Sequence, residues 1–566
     1  MLKKISLSLL TMVLAFGIFS SCKSGLTPLA PNYIKAEPQP LELIGNKVPV
    51  TINATFPAGW FNKKASLIVT PVLRYEGGEA VGDAYSYQGE KVAGNGQVIS
   101  QKNGANVVLR STFDYVPAMK SSQLYLTFKA KAGNKTLNLP DIEIGNGVLA
   151  TAALLSAASE TPTVAPDKFQ RIIKEAHDAN ILFLIQQAEL RSGELKKGDL
   201  IKWQQLVASA NAAANQKVGV EISSYASPDG GYDLNEKLAE KREANTEKYL
   251  AKEFQKAKVD APINARYTAQ DWEGFKALVE KSNIQDKDLI LRVLSMYSDT
   301  EQREREIKNI SAVYSTLAEQ ILPQLRRSRL TANIEIVGKS DEEIAALAQS
   351  NPKALNVEEL LYAAALAPAA STKETIYKKV TELFPADARG FNNLGVIEYM
   401  KGNLSQAETL FGKANQLAGK LPEANMNLGW VALAKGEVAK AEQYFGNAAG
   451  VPELNNAQGY LAALKGNYAQ AAQAFGKSAS NNAALAQILS KDYNKALSTL
   501  DAVKLPNADT YYLKAIVGAR TNNLNNVVGN LKQAIALNPN LAPQALKDLE
   551  FSKFFTNDQF LNALKK

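Results

Sequence analysis

Hydrophobic positions change rhythm several times along this chain. Residues 5–19 are apolar almost without a break, relieved only by Ser, Thr and Gly, and are preceded by Lys3 and Lys4. Residues 22–42 carry Pro28, Pro31, Pro38 and Pro40 with few apolar positions, which predicts an extended tether. Between 43 and 147 the period falls to two. Segments 48–55, 66–75 and 124–130 alternate or run in β-branched and aromatic residues, with turn signals at Gly77-Gly78, Gly94-Asn95-Gly96 and Gly133-Asn134. Short strands at this spacing predict a β-sandwich. Residues 148–164 are Ala/Ser-rich and read as a linker. From 165 to 338 the periods mix: a short strand at 181–185, a helix at 197–212, a strand at 217–225 and a long helix at 233–254 with Leu234, Leu238 and Tyr249 inward. A last strand at 330–337 completes an α+β block. Residues 341–566 show only helix and turn, rich in Ala and Asn.

Composition narrows the reading. Apolar residues make up 46% and charged ones 21%, ordinary for a folded body. The net charge of +8 is spread among alternating signs, with no basic run interleaved with aromatics, so nucleic acid is not an expected partner. Cys22 is the only cysteine, which leaves no intramolecular disulfide and no thiolate cluster. An incidental buried thiol is the bland alternative, but Ser20 and Ser21 place small residues directly before Cys22 and after the apolar run. That layout is the three-part secretory signal, and it resembles a bacterial lipoprotein signal over residues 1–21. The resemblance implies a lipid attached at Cys22, although Phe19 stands where such signals usually carry Leu. No later segment reaches the ~18–20 apolar residues needed to span a bilayer. The expected membrane contact is therefore through acyl chains.

Internal repetition is plain in the last third. Asn393-Leu-Gly-Val-Ile-Glu-Tyr-Met-Lys-Gly-Asn returns 34 residues later as Asn427-Leu-Gly-Trp-Val-Ala-Leu-Ala-Lys-Gly-Glu. A third copy matches Gly459, Gly466, Ala471 and Phe475 to Gly429, Gly436, Ala441 and Phe445. Weaker copies centre on Tyr493 to Ala496 and Leu524 to Ala534. In each copy a glycine in the first helix lets its partner helix approach, and the Lys-Gly turn reverses the chain. Phe445 and Phe475 are expected to fill the gap to the next pair. A generic amphipathic bundle would not keep Gly, Ala and Phe in register. The copies resemble the tetratricopeptide repeat (TPR) family over about 385–540, with a divergent leading pair at 358–367 and 372–384. The resemblance implies an all-α solenoid presenting a groove to partner proteins.

In the middle block, Tyr225-Ala-Ser-Pro-Asp-Gly-Gly-Tyr-Asp-Leu-Asn-Glu-Lys-Leu-Ala-Glu-Lys-Arg resembles the OmpA-like family, whose signature is Thr-Asp-x-x-Gly-x-x-x-x-Asn-x-x-Leu-Ser-x-x-Arg. Gly230, Asn235, Leu238 and Arg242 fall in register, and Arg326, Arg327 and Arg329 precede the last strand as the family's basic residues do. The resemblance implies peptidoglycan binding, the family Asp and Arg clamping the zwitterionic stem-peptide end. Ser227 stands in the Asp position here and removes half of that charge pairing; Asp229, two residues on, is the available substitute. Ser227, Asp229, Asn235 and Arg242 are thus the candidate peptidoglycan-binding residues, and a spacer domain that binds no wall is the competing reading.

No nucleophile–base pair, metal cluster or phosphate loop is visible, and the lone histidine, His177, sits in what reads as a polar helical stretch. No enzyme activity, metal or cofactor is expected. Together these modules look like an envelope lipoprotein of the Bacteroidota, an outer-membrane scaffold or adaptor. The absence of acidic residues in Lys23-Ser-Gly-Leu-Thr-Pro points it toward the periplasm. The alternative is an accessory subunit of an outer-membrane assembly, secretion or fimbrial machine.

Overall fold

The computed structural model describes residues 26–284, 287–309 and 311–565. Residues 1–21 and Cys22, the expected signal and lipid site, lie outside them. The chain forms two compact units, Met1–Ala165 with Phe384–Lys566, and Pro166–Leu383.

In the first unit, alternation builds sheet. Strand Lys47–Phe56 turns Val48, Val50, Ile52, Ala54 and Phe56 inward and lies between Ile34–Glu37 and Ala105–Asp114. A larger sheet runs in the order Lys135–Leu137, Gln123–Ala132, Ala65–Tyr75, Tyr85–Gly89, Gln97–Ile99, with Ile142–Asn146 and Gly78–Val81 at its sides. The two sheets share one core, where Phe56 meets Trp60, Phe61 and Tyr87.

Two expectations are corrected here. The tether of residues 22–42 is folded in its described part: Ile34 pairs opposite Ala54, and Leu26, Leu29, Ala36 and Leu41 are buried. Its prolines sit between short paired runs and hid their alternation. The linker of 148–164 is not a free connection either. Val148–Leu149 pairs in parallel with Leu41–Glu42, and the residues after it lie along the helical array.

That array is five helical hairpins. Their first helices are Ala388–Met400, Pro422–Ala434, Leu454–Leu464, Asn481–Leu489 and Ala508–Arg520. Their second helices are Leu404–Ala418, Val438–Gly446, Tyr468–Phe475, Tyr493–Asp501 and Leu524–Leu537. Gly436, at φ +78°, makes the left-handed turn of the second hairpin; Lys491 and Asn522 take the same backbone region in the fourth and fifth. A Cβ placed on Gly429 would stand 2.3 Å from the Phe445 ring. The repeat phenylalanine therefore folds back onto the glycine of its own hairpin, a correction to the expected role between pairs. Where Ala484 and Ala515 take the glycine position, Leu500 and Leu531 take the phenylalanine position, and all four are buried. A smaller partner makes room for one methyl group.

The second unit carries a four-stranded sheet in the order Ile172–Leu182, Arg327–Val337, Gln216–Tyr225, Ile263–Thr268, of which only the last pair is parallel. Helices Gly198–Ala212 and Tyr232–Ala257 pack Trp203, Val207, Leu250 and Phe254 into its core. The strand expected at 181–185 in fact begins at Ile172, and His177 lies within it, not in a helix. Its residues from Ile172 to Asp178 are exposed or half-buried whatever their polarity, so no alternation marked them. The long helix turns inward a stripe that only partly matches the expected one: Asn235, Ala239, Arg242, Thr246, Leu250 and Phe254 are buried and Tyr249 packs against the core, whereas Leu234 is exposed. A second small core, around Phe275, Ile290, Leu294 and Leu325, forms from the helices of 272–325. The unit continues past residue 338 through Asp341–Ser350, Val357–Leu366 and Ala370–Leu383, so the expected leading repeat pair belongs to it.

Candidate functional site

In the second unit, the loop between strand Gln216–Tyr225 and helix Tyr232–Ala257 gathers all four residues singled out from the sequence. Ser227, Asp229, Asn235 and Arg242 border one recess of about 50 Å³, with Ile185 and Leu238. That volume suits a water or two, not the end of a peptide. The charges are also spoken for. Arg242 is 1% exposed, and its guanidinium donates to the carbonyls of Gln187 (2.9 Å), Tyr225 (2.8 Å) and Leu184 (3.1 Å) while lying over the Phe183 ring. Burial, with the like charge of Arg326, brings its pKa down to about 10 despite Asp229. Asp229 pairs instead with Arg326 at 3.1 Å, and Arg326 also donates to Ser227. Asn235 donates to the carbonyls of Ser227 and Gly230 and pins the loop. The sequence placed the right residues together, but Arg326 closes the acid side of the recess and Arg242 holds backbone.

The first unit holds a site the sequence reading missed. Residues 151–165 run along the first helices of the array, from the last hairpin back to the first. Three asparagines each grip one residue of the segment by both backbone groups. Asn393 accepts from Ala165 N–H (2.8 Å) and donates to its carbonyl (2.9 Å). Asn427 does the same for Thr163 (2.7 and 2.8 Å), and Asn482 for Ser156 (3.1 and 2.8 Å). Asn392 adds a bond to the Thr163 carbonyl and braces Asn393 and Asn427. Tyr399 donates to the Ala157 carbonyl, and Asn482 also meets the Glu160 carboxylate at 2.8 Å. At the far end Thr151 donates to Glu550, which Arg520 holds.

Asparagine is a weak helix former, yet Asn393 and Asn427 sit mid-helix and Asn482 in a first turn, all three nearly fully buried. A carboxamide there needs partners for both its oxygen and its NH₂. An extended backbone supplies one of each per residue. Recurrence of Asn two positions before the repeat glycine was the signal available in the sequence, and it was read only as repetition. The third hairpin carries Ala457 in that position. Beside it, against Ser159 to Thr161, lies a cavity of about 450 Å³ lined also by Glu453, Asn456, Asn481 and Asn507.

Among known proteins, no family model matches the chain, and no curated protein does. Solved structures similar to it include YrrB, described as a TPR protein with an unusual peptide-binding site (18% identity, 38% of this chain and 100% of that one, TM-score 0.20). A tetratricopeptide repeat protein from Parabacteroides merdae aligns at 13% identity over 52% of this chain and 99% of its own, TM-score 0.25. The Cut9–Hcn1 hetero-tetramer of APC/C aligns at 16% identity over 59% and 73%, TM-score 0.32. At such scores the likeness carries no argument. The TPR-like character of the array stands on its own hairpins, glycines and register.

Among the described residues, no group of three or more His, Cys, Asp or Glu side chains is placed to hold a metal ion. No described helix is long and apolar enough to cross a membrane.

Proposed function

We propose that the protein is a non-enzymatic scaffold of a bacterial envelope, anchored in the outer membrane by acyl chains on Cys22 and facing the periplasm. Its helical array holds extended protein segments. One observation carries the scaffold reading: Asn393, Asn427 and Asn482 each satisfy both the N–H and the C=O of a single extended residue. Such recognition reads backbone, tolerates varied sequence and needs no chemistry at the bound chain. The anchor rests on Lys3, Lys4, the apolar run and Ser20-Ser21-Cys22.

In this reading the OmpA-like loop belongs to a folded spacer. To grip a zwitterionic peptide end, Asp229 would have to leave Arg326, and Arg242 would have to abandon three carbonyls. Wild-type protein is accordingly expected to stay in the supernatant when purified cell wall is pelleted.

Replacing Cys22 by Ser tests the anchor. The variant is expected to lose acyl label and move from the membrane to the soluble fraction. Labelling at the wild-type level would reject a lipid on Cys22.

A further inference from the structure

Backbone recognition raises the question of what occupies the groove in the working protein. The segment already there satisfies every asparagine clamp, at Ser156, Thr163 and Ala165. Its buried residues are small or narrow except for Glu160: Thr151, Ala152, Ala157, Pro162 and Ala165 are buried with it, while Ala153, Ala158, Ser159, Thr161 and Val164 face outward. It is also fastened at its start. Val148–Leu149 pairs with Leu41–Glu42, and the sheet region packs on the array, where Tyr468 hydroxyl takes the Gly45 N–H at 2.9 Å.

We propose that residues 151–165 are the resident ligand of the array and hold its groove closed in cis. A foreign peptide then enters only by displacing them, and it must be extended at the clamped positions, with small residues there. The proposal rests on the reading of the array as a holder of extended segments. Its physical basis is concentration. A ligand carried on the same chain as its site, and fastened beside it through Val148–Leu149, acts at a raised effective concentration set by its tether. A free peptide with the same contacts competes with that, so its apparent affinity falls in proportion. The single-residue clamps make exchange chemically simple, since each incoming residue offers the same N–H and C=O pair that the outgoing one removes.

The test uses a fluorescein-labelled peptide of residues 151–165 and two full-length variants. One replaces residues 151–165 with a Gly-Ser stretch of equal length. The other, Thr163→Pro with Ala165→Pro, removes the two backbone donors to Asn427 and Asn393 and leaves the groove intact. Circular dichroism establishes folding, and the second variant serves if the first does not fold. Fluorescence anisotropy is expected to show the peptide binding the opened chain at least ~100-fold more tightly than the intact one. Adding Asn427→Ala to the opened chain is expected to abolish that gain. Equal binding to intact and opened chains would overturn closure in cis while leaving the array a peptide holder. A folded, opened chain that ignores the peptide would overturn the holder reading itself. A wild-type dimer whose population rises with concentration, and which either variant dissolves, would show exchange between copies and also overturn closure in cis.

Discussion

The groove of the first unit and the loop recess of the second use polar side chains for the same task, pairing backbone, and reach opposite outcomes. Arg242 pairs carbonyls of its immediate surroundings, Leu184, Gln187 and Tyr225, with one buried cation. Asn393, Asn427 and Asn482 pair a segment that meets them from more than two hundred residues away in sequence, using neutral groups. A buried charge with carbonyl partners is expensive to disturb, because its removal strands several acceptors and its movement strands the charge. A neutral carboxamide holding one residue loses about as much as it regains when another residue takes its place. The recess is therefore a structural lock, and the groove has the properties of a site.

The largest effect that sharpens this contrast is expected from Arg242→Ala. Three carbonyls lose a charged donor, and destabilisation of about 3 kcal/mol or more is expected for the second unit. Urea unfolding followed by Trp203 and Trp272 fluorescence would read it. Unchanged stability with altered cell-wall binding would instead make Arg242 a ligand residue and erase the contrast.

Next is Gly429→Ala. With a Cβ forced to within 2.3 Å of the Phe445 ring, overpacking of about 1–3 kcal/mol is expected. Adding Phe445→Leu should recover part of it, as the natural Ala484 and Leu500 arrangement implies; a double-mutant cycle showing no coupling would contradict the packing account.

Asn427→Ala leaves the N–H of Thr163 without its partner and its C=O with Asn392 alone, at a cost of about 1–3 kcal/mol if water stays out. Faster amide exchange at Thr163 with an intact array would place the loss in the segment. Protection unchanged at Thr163 would break the account of the clamp.

The smallest effect concerns Glu160, buried in the groove with its carboxyl pKa raised by burial and only partly restored by Asn482. A raised folded-state value means the folded chain binds the proton more tightly than the unfolded one. Stability is then lost as pH rises from the ordinary carboxylate range through that higher value. Glu160→Gln should accordingly be the more stable protein near neutrality, with the gap closing as pH falls; thermal melts from about pH 4 to 7.5 would follow it. A gap that widens in acid would reverse the sign and the argument.

How much of this could be read from the sequence differs between the two regions for a physical reason. The repeat hairpins were legible because close helix approach demands Gly429 opposite Phe445 and a left-handed turn at Gly436, and few residues satisfy either. The residues around the recess were legible as a motif, but their roles were not: the partner of Asp229 is Arg326, which only the fold brings to it. The groove's occupant left almost no trace. A segment held by its backbone needs no particular side chains, so residues 151–165 read as a linker. Only the buried asparagines on the opposite wall encoded the contact. The exposed start of strand Ile172–Leu182 escaped notice similarly, since an exposed strand carries no inward apolar row.

The bond from Thr151 to Glu550 has a consequence for biogenesis. The two residues are 399 positions apart, and at about 5–20 residues per second a ribosome needs roughly 20–80 s to add that length. Throughout that interval the segment has been made and its docking surface is incomplete. Any chain released or threaded across a membrane before Glu550 exists leaves the start of that segment without its partner. Assembly of the first unit is thus finished late, when the short helix Leu549–Phe554 beyond the last hairpin completes the resting place of the connecting segment.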